Sequence, residues 1–453
     1  MNRLRAPGAD LTTGPGAGLG AGPSTDVGNR LSTDIVLAPD IRPVVRNRPR
    51  TAPDRRVLLT GATGFLGAFL LRELLDRTPD DVWCLVRADT PQQARQRIQD
   101  TMRRYLLWDS RTAARIVPVP GDLTRPRLGL PPRQWARLAE RVDVIQHSGA
   151  RVSHIAPYGL LRDANVRGTA EVLRLACADH TKPVHFVSTA AVGADPAGGP
   201  PPRGTAGAGY VTSKWAAERL VSEAGERGVP VRIYRPGRIS GHSVTGACQV
   251  DDAVWNLIRA VVLLGAAPNT ADAEVSFAPV DYVARAIVRM SAPDSPDAQG
   301  ARVPPGTPVT AVAAVTPVAP DTPGTPAVPG NGLAARVRYL LNPSRMPLHV
   351  LLAHVAERFP VETVPSDVWL ARLWDARHRQ DGALARAALL LPSYRALLTG
   401  AGRPPTGDLT AGIAGPDDAG APCPPIDGRL IAVYLDYFES VGFLPSGAPQ
   451  FLA

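Results

Sequence analysis

At 453 residues the chain has room for about two to three domains, and a 44% hydrophobic content suits a globular protein. No run approaches the ~18 apolar residues of a membrane span, and the start carries Arg3 and Arg5 without the apolar stretch of a secretory signal. The net charge of +9 is scattered rather than packed into a dense run, which favours a phosphate-bearing ligand or an acidic partner over nucleic acid.

Residues 1 to about 50 are rich in Gly and Pro, without sustained period, and read as a disordered or loosely packed leader. From Arg56 strands and helices alternate. An apolar strand ends at Thr60, glycines follow at Gly61, Gly64 and Gly67, and a helical pattern starts with Phe65, Leu66, Phe69 and Leu70. Strand, glycine turn and helix in that order make a place for a pyrophosphate, because the first helical N–H groups have no internal partner. Further strands are expected at 82–87, 116–120, 142–147, 184–188 and 229–234. Helices should lie between them near 92–107, 160–178 and 210–224. Repeated βαβ units predict an α/β fold of the Rossmann type, a doubly wound parallel sheet.

Beyond Arg235 the rhythm breaks, which suggests a smaller, mostly helical C-terminal module. A helix near 252–264, a strand near 275–278 and a helix from Asp281 are expected there. Residues 292–333, saturated with Pro, Ala, Thr and Val, read as a disordered insertion. Order should resume at 336–341, with helices near 348–358, 367–377 and 382–391, a loose stretch at 401–424 and a closing helix at 428–441. The expected division is a leader at 1–50, a nucleotide-binding domain at 51–240 and a substrate module at 241–453, with segments such as 275–291 returning to the first domain. Cys84, Cys177, Cys248 and Cys423 lie far apart without metal-ligand spacing and read as reduced thiols of a cytosolic protein.

Only two of the 50 basic residues are lysines, Lys182 and Lys214. In a chain so biased toward arginine, a surviving lysine marks a place that arginine cannot fill. Tyr210 and Lys214 stand four apart, one helical turn, on one face. An ammonium beside a phenol is expected to favour phenolate and lower its pKa, giving an acid usable at neutral pH. Ser188 and Thr189 close the fifth strand at its carboxyl end, where open α/β sheets place ligands, and a hydroxyl there can share a carbonyl oxygen with Tyr210. At the end of the second strand stands Arg87, with Arg97 on the next helix. A carboxylate there would select NAD, whereas arginine suits a 2′-phosphate, so NADPH is preferred. Asp122 and Leu123 lie within reach of an adenine. His147, Ser148 and Gly149 end the fourth strand near the diphosphate. His147, His154 and His185 share no metal spacing and read as core or cap histidines, so no metal is expected.

With these residues placed, the chain resembles the thioester reductases, extended short-chain dehydrogenases/reductases that terminate nonribosomal peptide synthetases and carboxylic acid reductases. The matching stretches run in one order from about Arg56 to Val288: LLTGATGFLGAFLL, CLVRA, PVPGDL, HSGARVSHIAPY, NVRGTAEVLRLA, FVSTAAV, YVTSKWAAERL, IYRPGRISGHSVTGA and FAPVDYVARAI. A weaker match continues nearly to the end. The resemblance implies that Thr189, Tyr210 and Lys214 form a catalytic triad and that Asn165 supports the lysine's water chain. It implies NADPH binding by Gly61, Thr63, Gly64, Phe65, Leu66, Gly67, Arg87, Arg97, Asp122 and Leu123, with Pro236 and Ile239 lining the nicotinamide. It implies a C-terminal module that receives a phosphopantetheine arm carrying the acyl thioester.

Two features depart from the family. The 453 residues hold no Asp-Ser-Leu phosphopantetheine site, so the thioester is expected from an acyl or peptidyl carrier protein in trans, or the chain is a piece of something larger. The Pro-rich insertion lengthens the region near the acyl site. The leading expectation is an NADPH-dependent reductase that releases an aldehyde, or further an alcohol, acting as a monomer. A sugar epimerase or dehydratase, a fatty acyl-CoA reductase and a non-catalytic nucleotide sensor are the alternatives.

Overall fold

Each of the six apolar runs between Arg56 and Arg235 forms a strand: β1 (Arg56–Thr60), β2 (Asp81–Val86), β3 (Ile116–Pro120), β4 (Val144–His147), β5 (Val184–Val187) and β6 (Val231–Pro236). A seventh, β7 (Val337–Leu340), arrives from beyond the Pro-rich stretch and pairs with β6. The order across the sheet is β7-β6-β5-β4-β1-β2-β3, with every pairing parallel. The chain moves from β1 to β2 and β3 on one side, then returns to place β4 on the other. That reversal opens a crevice at the carboxyl ends of β1 and β4, where a doubly wound sheet binds its ligand. This computed structural model describes residues 31–44, 55–153, 155–194, 207–270, 273–292, 336–377, 382–399 and 420–446.

The helices covering the sheet are α1 (Phe65–Arg77), α2 (Pro91–Arg104), α3 (Pro132–Arg141), α4 (Tyr158–Arg162), α5 (Gly168–Cys177) and α6 (Ala208–Glu226). Successive strand side chains point to opposite faces, so Val57, Leu59, Val82 and Cys84 enter one core while Leu58, Trp83 and Leu85 enter another. The first core runs without a break into the C-terminal helices. These are α7 (Ala253–Leu264), α8 (Val280–Met290), α9 (Leu348–Ala356), α10 (Ser366–Ala376), α11 (Gly382–Ala388), α12 (Leu391–Leu398) and α13 (Gly428–Ser440). Trp255 sits at the centre of this part, its ring 5.3–5.6 Å from those of Phe277, Tyr434 and Phe438. The strand expected near 275–278 is split in two. Glu274–Val275 pairs with Met346–Pro347, and Ala278–Pro279 pairs with Ile239–Ser240. Among the described residues no helix is long and apolar enough to cross a membrane.

Two sequence expectations need correction. The single long helix at 160–178 is α4 and α5 joined by a π-turn, Asp163–Arg167. The leader is not loose throughout, since residues 31–44 pack on the outer side of α5 and α6. Leu37 and Ile41 are fully buried. Arg227 donates to the carbonyls of Leu37, Ala38 and Ile41 at 2.7–2.9 Å. Asp34 pairs with Arg162 and accepts from the Tyr158 hydroxyl at 2.6 Å. Two fully buried apolar residues are too few to show a period, and the rest of the anchor is ion pairs and hydrogen bonds to residues distant in the chain, which leave no sequence pattern. Residues 1–30, the loose stretch at 401–419 and the Pro-rich insertion beyond residue 292 lie outside the described residues.

Packing of this strap has a measurable consequence. Ile41→Ala removes fully buried methylenes and should lower unfolding stability by about 2–4 kcal/mol, read as a reduced denaturant midpoint. A midpoint within experimental error of the parent would show that the strap contributes nothing to the core.

Candidate active site

The crevice begins at the end of β1. Gly61 has φ +82°, a conformation open to glycine at little cost. Its carbonyl accepts from Gly64 N at 2.8 Å, and Ala68 N donates to Gly64 O at 3.0 Å to start α1. Gly64 makes no side-chain cap, so the first N–H groups of α1, from Phe65, Leu66 and Gly67, are left for an anion. The glycines are required by close approach. A Cβ on Gly67 would lie 1.9 Å from Gly61 O, and one on Gly61 would lie 2.8 Å from the Cα of Gly149. Thr63 is half-buried within the turn. Phe65 packs its ring 5.2 Å from Tyr105, whose hydroxyl donates to Gln249 Oε1 at 2.8 Å and so ties the cradle to the C-terminal part.

At the ends of β2, β3 and β4, on either side of the strand that feeds this cradle, stand other residues expected to touch a nucleotide. Arg87 is exposed at the end of β2, and Arg97 Nη1 donates to its carbonyl at 2.6 Å. Leu123 lies over two glycines, where a Cβ on Gly149 or Gly168 would meet it at 2.7 and 2.8 Å. Asp122 is engaged in its own turn, accepting from Thr124 N and Oγ1 at 2.9 and 2.8 Å. Ser148 and Gly149 follow β4. A cradle that any side chain would fill, capped by an open helix start and flanked by two arginines, fits a dinucleotide.

His147 is structural. Thr169 Oγ1 spends its proton on Asn165 O at 2.6 Å, so it accepts from His147 Nε2 at 3.0 Å. His147 Nδ1 then accepts from Thr60 Oγ1 at 2.7 Å, and that oxygen accepts from Gly149 N at 2.9 Å. The chain of bonds fixes the neutral tautomer. Burial, then the charge of Lys214, pushes the imidazole down to about 3. His185 is likewise a core histidine, bonded to Tyr234 OH at 2.9 Å. His154 lies outside the described residues.

The expected catalytic residues converge on the carboxyl ends of β4 and β5. Thr189 follows β5, and the turn Ala190–Ala194 after it packs against α6. Tyr210 is in the first turn of α6, whose start presses on the loop before α4 because Gly209 has no Cβ to strike Ala156 O. Lys214 is buried and reaches toward β5, its Nζ 4.0 Å from the centroid of the Phe186 ring. Asn165 stands in the π-turn. It donates to Ser213 Oγ at 2.8 Å and exchanges two bonds with the Arg151 backbone, 2.7 and 3.0 Å. Its amide therefore fixes α6 against the loop after β4. Pro236 ends β6 on the same edge of the sheet, and Ile239 follows it half-buried.

The expectation that Lys214 lowers the Tyr210 phenol is corrected. Burial pushes Tyr210 up to about 12 and pushes Lys214 down to about 7, with the Glu218 carboxylate opposing. At Tyr210 burial is the cause of the rise, because a phenolate loses more by leaving water than the neutral phenol does. Tyr210 is thus a held proton rather than a phenolate. The second lysine, Lys182, is fully buried and caps the end of α5 through the carbonyls of Ala178 and His180 at 2.7 and 2.9 Å.

Residues 59–287, just over half of the chain, match the male sterility protein family of NAD-binding domains. The chain belongs to this family. It is a thioester reductase-type oxidoreductase of the extended short-chain class. Among solved structures, the terminal R domain from the myxalamid PKS-NRPS biosynthetic pathway is 35% identical, with TM-score 0.74, and the match covers 93% of this chain and 100% of that one. The R domain of a nonribosomal peptide synthetase from Mycobacterium tuberculosis is 27% identical, with TM-score 0.64, covering 92% and 96%. A linear gramicidin synthase of Brevibacillus parabrevis is 38% identical over 404 residues, 85% of this chain and 7% of that protein. Isonitrile lipopeptide synthase of Streptomyces coeruleorubidus is 37% identical over 432 residues, 91% of this chain and 26% of that protein. The chain therefore spans about a quarter or less of these two synthases.

One part of this reductase escaped the sequence reading. Glu218, one turn beyond Lys214, is buried and accepts from Ser188 Oγ at 2.5 Å and from Arg235 Nε at 3.1 Å. Arg235 also bonds Tyr339 on β7. The signal was present as Tyr210, Lys214 and Glu218 at successive intervals of four. A carboxylate on the same helical stripe as a buried lysine needs a buried partner.

Proposed function

We propose that this reductase converts an acyl or peptidyl thioester, held on the phosphopantetheine arm of a carrier protein, into an aldehyde with NADPH. The carrier is a partner in trans or a neighbouring domain of a larger protein, and the reductase is a cytosolic monomer; further reduction to an alcohol belongs to the same chemistry. The observation that carries this reading is the burial of Lys214 against β5, one turn from Tyr210 on α6 and beside the strand that Thr189 follows, in a chain that matches a terminal reductase domain over nearly all of its length. Four free cysteines, three of them buried, support the cytosol.

Pro236 and Ile239 would line a bound nicotinamide, which would supply the hydride for the thioester carbonyl carbon. Thr189 Oγ1 and the Tyr210 hydroxyl donate to the carbonyl oxygen, stabilising the negative charge that develops there. Tyr210, still protonated at neutral pH, passes its proton to that oxygen. Lys214 would hold the nicotinamide ribose and offset the charge left on the phenol, and Asn165 would support a water chain behind it. The resulting hemithioacetal breaks its C–S bond, freeing the carrier thiol and the aldehyde. Mass spectrometry of products from a panel of acyl-carrier and acyl-CoA thioesters with NADPH tests this. Aldehyde is expected; turnover of UDP-sugars instead would favour an epimerase.

Cofactor choice is tested separately. Arg87 and Arg97 stand where an NAD enzyme carries a carboxylate. Losing a charge-assisted phosphate contact costs about 1.5–3 kcal/mol, so Arg87→Ala should weaken NADPH binding about 10–100-fold and leave NADH nearly unchanged. Equal losses for both cofactors in calorimetric titrations would remove the assignment.

A further inference from the structure

We propose that Glu218 is a positioning residue of this reductase, clamping α6 to the ends of β5 and β6 and placing a buried carboxylate one turn from Lys214. This rests on the reading of Lys214 given above. Glu218 is 3% exposed and stands one turn from Lys214, which is equally buried. Its carboxylate takes the hydroxyl of Ser188, the residue immediately before Thr189. Arg235 Nε meets both carboxylate oxygens, at 3.1 and 3.3 Å, and its Nη2 meets one of them. The Arg235 guanidinium lies 5.3 Å from the centroid of the Tyr339 ring and bonds its hydroxyl. The turn after Thr189 closes over this assembly. A Cβ on Gly193 would lie 2.2 Å from Tyr339 OH and 2.8 Å from Arg235 Nη1. The cluster thus touches the chain on both sides of Thr189 and the helix that carries Tyr210 and Lys214.

A buried ion pair is weak support for stability by itself, because desolvation of both charges offsets their attraction. Its placement gives it another use. The groups around Lys214 are Tyr210 and Glu218 on α6, the Phe186 ring on β5, the neutral His147 on β4, and Arg235 on β6 behind the carboxylate. Among these described residues Glu218 is the anion. Burial brings Lys214 to about 7, and Glu218 opposes that fall. This carboxylate, one turn away, therefore opposes the loss of the Lys214 charge that burial brings.

Removing the Glu218 charge, with Arg235 left in place, lowers the Lys214 pKa. Activity that needs the ammonium is then lost at lower pH than in the parent. Removing the Arg235 charge leaves Glu218 unopposed and raises the pKa, moving that limb to higher pH. The full chain, labelled with carbon-13 at lysine Cε, gives two lysine resonances because it has two lysines, and Lys214→Arg assigns them. Glu218→Gln should shift the Lys214 titration down by about one unit or more and Arg235→Gln should shift it up, in keeping with a charge within one turn. Turnover of Glu218→Gln should fall about 10-fold at neutral pH and recover as pH is lowered. No shift, or shifts of the same sign in both folded variants, would overturn the proposal. If Glu218→Gln does not fold, Arg235→Gln decides alone, because its remaining carboxylate can still hold Ser188; a Lys214 pKa that fails to rise there overturns it. Resonances that shift as expected in a protein inactive on every thioester would uphold the clamp and count against the thioester reading alone.

Discussion

Tyr210→Phe is expected to cost this reductase about 10²-fold or more in turnover, with NADPH binding largely kept. The change removes one hydroxyl and almost no volume, so α6 and its contacts with Asn165 through Ser213 persist. What disappears is the proton that burial holds on the phenol. Lys214→Arg should be nearly as damaging although it conserves charge. The ammonium occupies a compact site over the Phe186 ring, and a planar, five-donor guanidinium does not fit the place of a point charge. Single-turnover kinetics with a fixed thioester check both variants. Close to full activity in Lys214→Arg would make the survival of this lysine an accident, with the site resting on Tyr210 alone.

Gly67→Ala should abolish useful nucleotide binding. Its Cβ would stand 1.9 Å from Gly61 O, a backbone atom that cannot swing away. Either α1 lifts from the turn or the turn moves, and both take the open N–H groups out of register with a phosphate. Losing two hydrogen bonds to a charged group, each worth about 1.5–3 kcal/mol, predicts binding weaker by at least about 10²-fold. Gly64→Ala is the control, since its Cβ would lie 3.2 Å from the same oxygen and needs only a small shift. Calorimetric titration with NADPH, beside circular dichroism to confirm folding, reads the difference. Equal affinity in Gly67→Ala and the parent would contradict the cradle.

The sheet was readable because each strand is a short apolar run followed by a helical period, and βαβ crossovers have one hand. Even β7, beyond the Pro-rich stretch, announced itself as 336–341 and took its place beside β6. The glycine cradle and the pair Tyr210 and Lys214 were legible because their spacing is dictated locally. What was missed depends on partners distant in sequence. The strap at 31–44 is held by Arg227, far along the chain. Glu218 gains its meaning from Ser188 and Arg235, which come from different parts of the sheet. The direction of the Tyr210 shift was missed because spacing reveals a neighbouring charge but not the burial that raises the phenol. The π-turn at Asp163–Arg167 has no Pro or Gly within it to mark it and shows only in the backbone.

The central claim is that hydride reaches the thioester carbonyl carbon. The most direct measurement uses NADPH carrying deuterium at the transferred position and an acyl thioester on a phosphopantetheine arm, with products resolved by mass spectrometry. The account predicts an aldehyde bearing one deuterium on its carbonyl carbon, with one equivalent of free carrier thiol. Release of the free acid, or an aldehyde without deuterium, would contradict it.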